Sequence, residues 1–379
     1  MPVYLDHNAT TPLNAEVVEA MMPYMTGIYG NPSSVHRFGR LTRDALEQAR
    51  IQVAQFTGSE PNQVIFTSGG TESNNLAVKG AMMNLSPAQL AISSIEHACM
   101  LEPAKAMQPL GWVLDLLAVD DQGRVQLDHL KSVVTDNTRF VSVMAANNET
   151  GVVQDLKNLV EATKSLNSDV LFHSDACQMA GKLAINFKQL GLDLMSVSSH
   201  KLYGPQGAGA LIASRSIDLS PQILGGGQER GLRSGTENLA AIVGFGKAAE
   251  LATEALQSRQ DNALKLQQQL ISALLELSGV EVFSLNADRL PNTVQFSVQG
   301  IDGETLLMQL DKKGFAVSSG SACDSGRTEP SHVLLAMGIS AETARGAIRV
   351  SFGEQNTEED VSRFVEALTN IRQQYNLDT

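Results

Sequence analysis

Two periodicities alternate along the chain. Short, nearly continuous apolar runs occur at Val64–Thr67, Gln89–Ser93, Trp112–Ala118, Arg139–Ala145, Val170–Ser174, Leu194–Ser198 and Gly209–Ala213. Such runs read as strands buried on both faces. Between them lie segments of helical period. Leu41, Ala45, Leu46, Ala49 and Val53 recur three and four apart, and Met100–Leu110 and Asp155–Leu166 are shorter examples. Strands alternating with helices predict a mostly parallel sheet covered on both faces. Ligands of such sheets bind beyond the strand C-termini, so the loops there are the places to look for chemistry.

From about Ala240 to Leu275 the pattern becomes one long helix-forming stretch rich in Ala, Leu, Gln and Glu. Beyond it, Val280–Ser284, Thr293–Val298, Ala316–Ser319 and Ala347–Ser351 read as short strands, with helices near Gly303–Lys313 and Thr357–Tyr375. A second, smaller α/β domain is expected there.

Composition narrows the classes further. The 379 residues carry 43% hydrophobic and 18% charged side chains, ordinary for a globular chain of about two domains. No run approaches the roughly 18 apolar residues of a spanning helix, so no membrane association is expected. The opening Met1-Pro2-Val3-Tyr4-Leu5-Asp6 lacks the basic region of a signal peptide. A net charge of −13 gives no general attraction to phosphate backbones, which argues against direct nucleic-acid binding. Cys99, Cys177 and Cys323 are odd in number and far apart, which points to a reducing compartment, the cytoplasm, rather than a disulfide framework. The common dinucleotide and P-loop glycine patterns are missing, and so are C-x-x-C and H-E-x-x-H, which removes zinc sites of those spacings.

Four strand-end loops carry candidate chemistry. Ser68-Gly69-Gly70-Thr71-Glu72-Ser73 follows one strand and opens a helix, where backbone N–H groups and the Thr71 hydroxyl would suit a phosphate. Ser174-Asp175-Ala176-Cys177-Gln178 places an acid at a buried strand end, where a protonated ring nitrogen would answer it. Ser198-Ser199-His200-Lys201 offers a lysine able to form a Schiff base. Gly225-Gly226-Gly227, with Arg230, Arg233 and Thr236 behind it, suggests an approach to an anion. Each taken singly also reads as a capped turn or a solvated loop. Together they form the set that pyridoxal phosphate requires: an amine, an acid for the pyridine nitrogen and a phosphate cradle.

On these residues the chain resembles the cysteine desulfurases, the NifS/IscS-like branch of the class V aminotransferases with pyridoxal-phosphate fold type I. The resemblance runs through Tyr4-Leu5-Asp6-His7-Asn8-Ala9-Thr10-Thr11-Pro12, Gly30-Asn31-Pro32-Ser33-Ser34, the Thr71 loop and Asn147-Asn148-Glu149-Thr150-Gly151. It continues through His200-Lys201, Arg233-Ser234-Gly235-Thr236 and Ser318-Ser319-Gly320-Ser321-Ala322-Cys323.

It implies a seven-stranded, mostly parallel sheet in a large domain of residues 13–255. Residues 1–12 and 256–379 would form a small domain carrying the cysteine loop. It further implies that Lys201 holds the cofactor covalently, Asp175 pairs with its ring nitrogen, and Gln178 bonds its ring hydroxyl. His97 would stack on the ring and move protons. Gly70, Thr71, Ser198 and His200 would hold the phosphate, with Thr236 reaching the phosphate of the other subunit in a homodimer. Asn148, counted also among the cofactor contacts, and Arg349 would orient the carboxylate of L-cysteine. The thiolate of Cys323 would take the substrate sulfur and leave alanine; an iron–sulfur cluster in transfer could also use it, with no resident metal.

The persulfide would go on to a sulfur-acceptor protein, an iron–sulfur scaffold or a thio-modification enzyme. Asp324, next to Cys323, disfavours thiolate, and Arg327 would offset it. Cys99 and Cys177 read as structural thiols. Selenocysteine cleavage, another class V reaction, or a non-catalytic sulfur carrier are the alternatives.

Overall fold

The structure, a computed structural model, describes residues 2–319 and 329–375. Its strands, in chain order, are β1 (Val3–Tyr4), β2 (Val64–Thr67), β3 (Gln89–Ser93), β4 (Val113–Leu117), β5 (Thr138–Ser142), β6 (Leu171–Asp175) and β7 (Leu194–Ser198). They continue with β8 (Gly209–Ala213), β9 (Val280–Val282), β10 (Thr293–Val298), β11 (Phe315–Ala316), β12 (Ser318–Ser319) and β13 (Ala347–Ser351).

Seven strands form one sheet in the order β2-β8-β7-β6-β5-β3-β4. Only β8 runs against its neighbours, β2 and β7; the other pairings are parallel. The continuous apolar runs are explained by burial on both sides. In β2, Val64 and Phe66 face one core while Ile65 faces the other; in β8, Ala210 and Ile212 oppose Leu211. Successive side chains point to opposite faces, and here neither face meets water. Helices Arg37–Thr57 and Leu239–Glu254 cover one side, contributing Leu46, Val53 and Phe245.

A four-stranded antiparallel sheet, β12-β13-β10-β9, forms a second layer. Its core joins Phe296, Ile348, Leu270 and Phe364 to Val3 and Leu5 from the chain start. The N-terminal segment reaches this layer because β1 pairs in parallel with β11.

Three elements differ from the sequence expectation. The stretch from Ala240 to Leu275 is two helices, Leu239–Glu254 and Leu256–Leu275, because Ala255 leaves helical geometry at φ −93° and ψ 3°. Ala316–Ser319 is two strands in different sheets: β11 pairs with β1, and β12 with β13. The helix expected over Met100–Leu110 is shorter, Ala98–Lys105, and a 3-10 turn containing Pro109 follows it. Pro109 has no N–H to donate, which suits the first positions of that new turn.

Candidate active site

Parallel strands β3, β5, β6 and β7 share a C-terminal edge, and so does β2, since its partner β8 is reversed. That edge collects Gly70 and Thr71 after β2, His97 after β3, Asn148 after β5, Asp175 at the end of β6, Ser198 at the end of β7, and His200 and Lys201 just beyond it. From the second sheet, Arg349 on β13 closes the same space. All of these, with Gln178, line one cleft of about 310 Å³, which also includes Asn8, Cys99 and Cys177. Three of the four candidate loops, those of Thr71, Asp175 and Lys201, therefore converge, while no residue of the loop from Gly225 to Thr236 lines the cleft.

Lys201 is half-buried, and its Nζ donates to the backbone carbonyls of Asn8 and, at 2.8 Å, Ala9. Asp175 is buried and held by two donors: the backbone N–H of Cys177 to Oδ1 at 2.9 Å, and Asn74 Nδ2 to Oδ2 at 2.7 Å. Its carboxylate is thus aimed rather than free to rotate. Beneath it, His173 is buried between Ser142 and Ser196, and burial pushes its pKa down to about 4.

His97 caps the helix that begins at Ala98. Its Nδ1 accepts the backbone N–H of Cys99 at 3.1 Å and lies 2.9 Å from Cys99 Sγ. A backbone N–H can only donate, so the neutral ring carries its proton on Nε2. Burial lowers the His97 pKa; Asp175 opposes that shift, while Lys201, His332 and Arg349 add to it. His200 is driven to about 4 by burial and by Lys201, and its Nδ1 faces Thr10 Oγ1 at 3.1 Å.

The cradle after β2 is tight. A Cβ on Gly70 would stand 2.8 Å from Cys177 Sγ, and one on Gly209 would stand 2.6 Å from the backbone of Gly69. Facing this cradle, the buried Ser198 Oγ has no hydrogen-bond partner among the described residues. A buried hydroxyl left unpaired beside a glycine turn fits an anionic group that would receive its proton.

Arg349 is interior to its sheet and buried. Its two terminal nitrogens are engaged, one with the Asn148 carbonyl at 2.9 Å and the other with Asp6 Oδ1 at 2.6 Å, while Nε has no partner among the described residues. Two of its five N–H groups are thus taken, and the Nε–H with a remaining terminal N–H could still form a two-pronged grip on a substrate carboxylate.

One expected site residue among those described is not in the cleft. Thr236 is exposed and does not line it, while nearby Arg233 pairs with Glu72 at 2.9 Å. Cys323 lies outside the described residues, as do Asp324 and Arg327. Other residues carry roles that sequence reasoning missed. Cys99, expected to be a structural thiol, lines the cleft against His97. Asn74 links Cys99 to Asp175, and Asn8 and Lys182 form the floor beneath Gln178. Asn8 stood inside a quoted motif, a usable signal; Asn74 and Lys182 had none. Burial raises the Cys99 thiol pKa to about 12 and raises that of Cys177 well above its usual value, with Asp175 adding to both.

Known proteins resemble this chain over nearly its whole length. The aminotransferase class-V family model matches residues 3–364. A cysteine desulfurase IscS of Dictyoglomus turgidum is 42% identical over 97% of this chain and 94% of its own length. One from Methanosarcina thermophila is 43% identical over 98% of this chain and 92% of its own. A solved NifS-like protein superimposes with a TM-score of 0.93 at 38% identity, covering 98% of this chain and all of that one.

Proposed function

The chain belongs to the aminotransferase class-V family, and from that premise we propose that it is a pyridoxal-phosphate-dependent L-cysteine desulfurase. The observation that carries this reading is the meeting of Lys201, Asp175 and the unpartnered Ser198 hydroxyl in one cleft. An amine, an acid and an anion cradle are the three contacts the cofactor needs. When bound, pyridoxal phosphate supplies a sink for the electrons released at the substrate's α-carbon.

The chain's own residues divide the remaining work. Lys201 Nζ is the amine that would hold the cofactor, and Asp175 would keep the proton on its ring nitrogen. Gln178 would donate to its ring oxygen. The Gly70 turn, Thr71, Ser198 and His200 would receive its phosphate, and the partner subunit would add the contact made by Thr236. Arg349, with Asn148, would orient the substrate carboxylate. His97, with Nδ1 already accepting, would present its Nε2 proton.

Cys323 is the proposed sulfur acceptor. Its thiolate would attack the substrate sulfur; the carbon–sulfur bond breaks with its electron pair left on carbon, which takes a proton, so alanine leaves and a persulfide remains. The burial that raises both other thiols supports this choice, since neither is poised to ionise. We read the active unit as a cytoplasmic homodimer that passes its sulfur to an acceptor protein of an iron–sulfur or thio-modification system. The unpaired Cys99 and Cys177 fit a reducing compartment. Among the described residues no helix is long and apolar enough to cross a membrane.

The test uses the cofactor-loaded protein with L-cysteine. Stoichiometric alanine and a persulfide mass on the Cys323 peptide are expected, and Cys323→Ala should still bind cysteine yet form neither. Turnover of Cys323→Ala at the parental rate, or a persulfide on Cys177, would overturn the assignment. Full activity in a sedimenting monomer would overturn the dimer.

A further inference from the structure

Lys182 is a buried lysine with no carboxylate pairing with it among the described residues. Its Nζ instead donates to two amide oxygens, Asn8 Oδ1 at 2.7 Å and Gln178 Oε1 at 2.8 Å. Taking an ammonium out of water without an anion is expensive, and burial accordingly lowers its pKa, with Lys201 and Arg349 adding to the effect. As the ammonium it donates to both oxygens and has no lone pair with which to accept.

The consequence falls on Gln178. A carboxamide can be turned end for end, exchanging donor and acceptor at almost no steric cost. Here Oε1 meets the Lys182 amine, and Nε2 donates to the Asn8 carbonyl at 2.9 Å. The flipped amide would set oxygen against oxygen at Asn8 and N–H against N–H at Lys182. Asn8 is fixed in the same way: its Oδ1 accepts from Lys182 and from Asn292 at 3.1 Å, and its Nδ2 donates to Thr293 Oγ1 at 2.9 Å. Two amides on the cleft floor thus have their polarity dictated by one amine.

We propose that Lys182 is a positioning residue for the cofactor. By locking the carboxamide of Gln178, it ensures that this side chain meets the cleft's occupant as a hydrogen-bond donor, matched to the ring oxygen of pyridoxal phosphate. This inference rests on the reading that the cleft takes that cofactor.

The experiment titrates apoprotein with pyridoxal phosphate, following the visible absorbance of the bound form, for the parent and for Lys182→Met, Gln178→Ala and the double variant. Each single variant should weaken binding about tenfold, and the double no more than about twofold beyond the weaker single, because both remove the same contact. Lys182→Arg, which can only donate, should bind within about threefold of the parent. Lys182→Gln offers an acceptor as well as a donor, so it should behave like Lys182→Met, and it serves if the methionine variant does not fold. The melting temperature of each apoprotein separates a folding defect from a polarity effect, since a general loss of structure would multiply with Gln178→Ala. Parental affinity in Lys182→Gln, or single effects that multiply in the double variant, would overturn the proposal. A parent that binds no pyridoxal phosphate would instead overturn the reading of the cleft.

Discussion

Asn74 Nδ2 stands 2.7 Å from Asp175 Oδ2, and the same nitrogen lies 3.1 Å from Cys99 Sγ. The acid at the end of β6 is therefore joined, through one carboxamide and one thiol, to the histidine on the facing loop. Each partner restricts the next. Asp175 directs Asn74, Asn74 donates to the sulfur of Cys99, and Cys99 meets His97 Nδ1.

Asp175→Asn should keep the cleft's shape, because the amide is the same size as the acid. It removes the anion that would hold a proton on the ring nitrogen, so alanine formation from cysteine should fall about a hundredfold or more while cofactor stays bound. Near-parental alanine production would show that Asp175 does not serve the ring.

Borohydride treatment of the loaded protein should fix the cofactor to a single peptide containing Lys201. The Nζ donates to the backbone carbonyls of Asn8 and Ala9, neutral acceptors that an incoming cofactor can displace. A label on Lys182, the other lysine near the floor, would reverse the two roles.

Arg50 and Glu229 form a buried, two-pronged ion pair at 2.7 and 2.8 Å, and Glu229 also accepts the backbone N–H of Phe66 on β2. Glu229→Ala would leave the buried guanidinium with only the half-exposed Glu47 as its carboxylate partner and leave that N–H unpaired. A loss of about 3–5 kcal/mol in urea denaturation is expected. A change below 1 kcal/mol would mean that water reaches the pair.

His173 titrates near 4 in the folded chain and near 6.5 when unfolded. Between those values the unfolded state binds more protons, so stability is full above about pH 6.5 and is lost as the pH falls towards 4. At about 1.4 kcal/mol per pH unit, the loss is on the order of 3 kcal/mol. His173→Gln should flatten that part of the stability profile. An unchanged slope would place the acid sensitivity elsewhere, among His7 and His200, which burial also lowers to about 4.

Much of this was legible in the residues. The strands of the large sheet showed because both faces are buried, which turns each into an uninterrupted apolar run such as Leu194–Ser198. Lys201, Asp175 and Gly70 showed because catalytic side chains follow strand ends and the glycine spacing is local. What stayed hidden depends on contacts between distant residues. β1 is two residues long and exists only because β11 lies beside it. Helix Ala15–Thr26 went unpredicted; it carries Pro23 in its interior and buries only Val17 fully. Lys182 looked like any loop lysine, since nothing in its neighbours reveals that Asn8 and Gln178 close over it. The engagement of Arg349 with Asp6 spans 343 positions and has no local signature.

Asn8 shows what such separations entail. It precedes all of its long-range partners in the chain, Asn148, Gln178, Lys182, Lys201, Asn292, Thr293 and Ser351. The large sheet can assemble while the last third of the chain is still being made, because its strands end at Ala213. The floor of the cleft cannot, since Asn8 is pinned only when β13 supplies Ser351. Maturation of the site is therefore a late event in the life of a nascent chain, and a ribosome-bound fragment ending before β13 would carry Lys201 without a fixed seat for it.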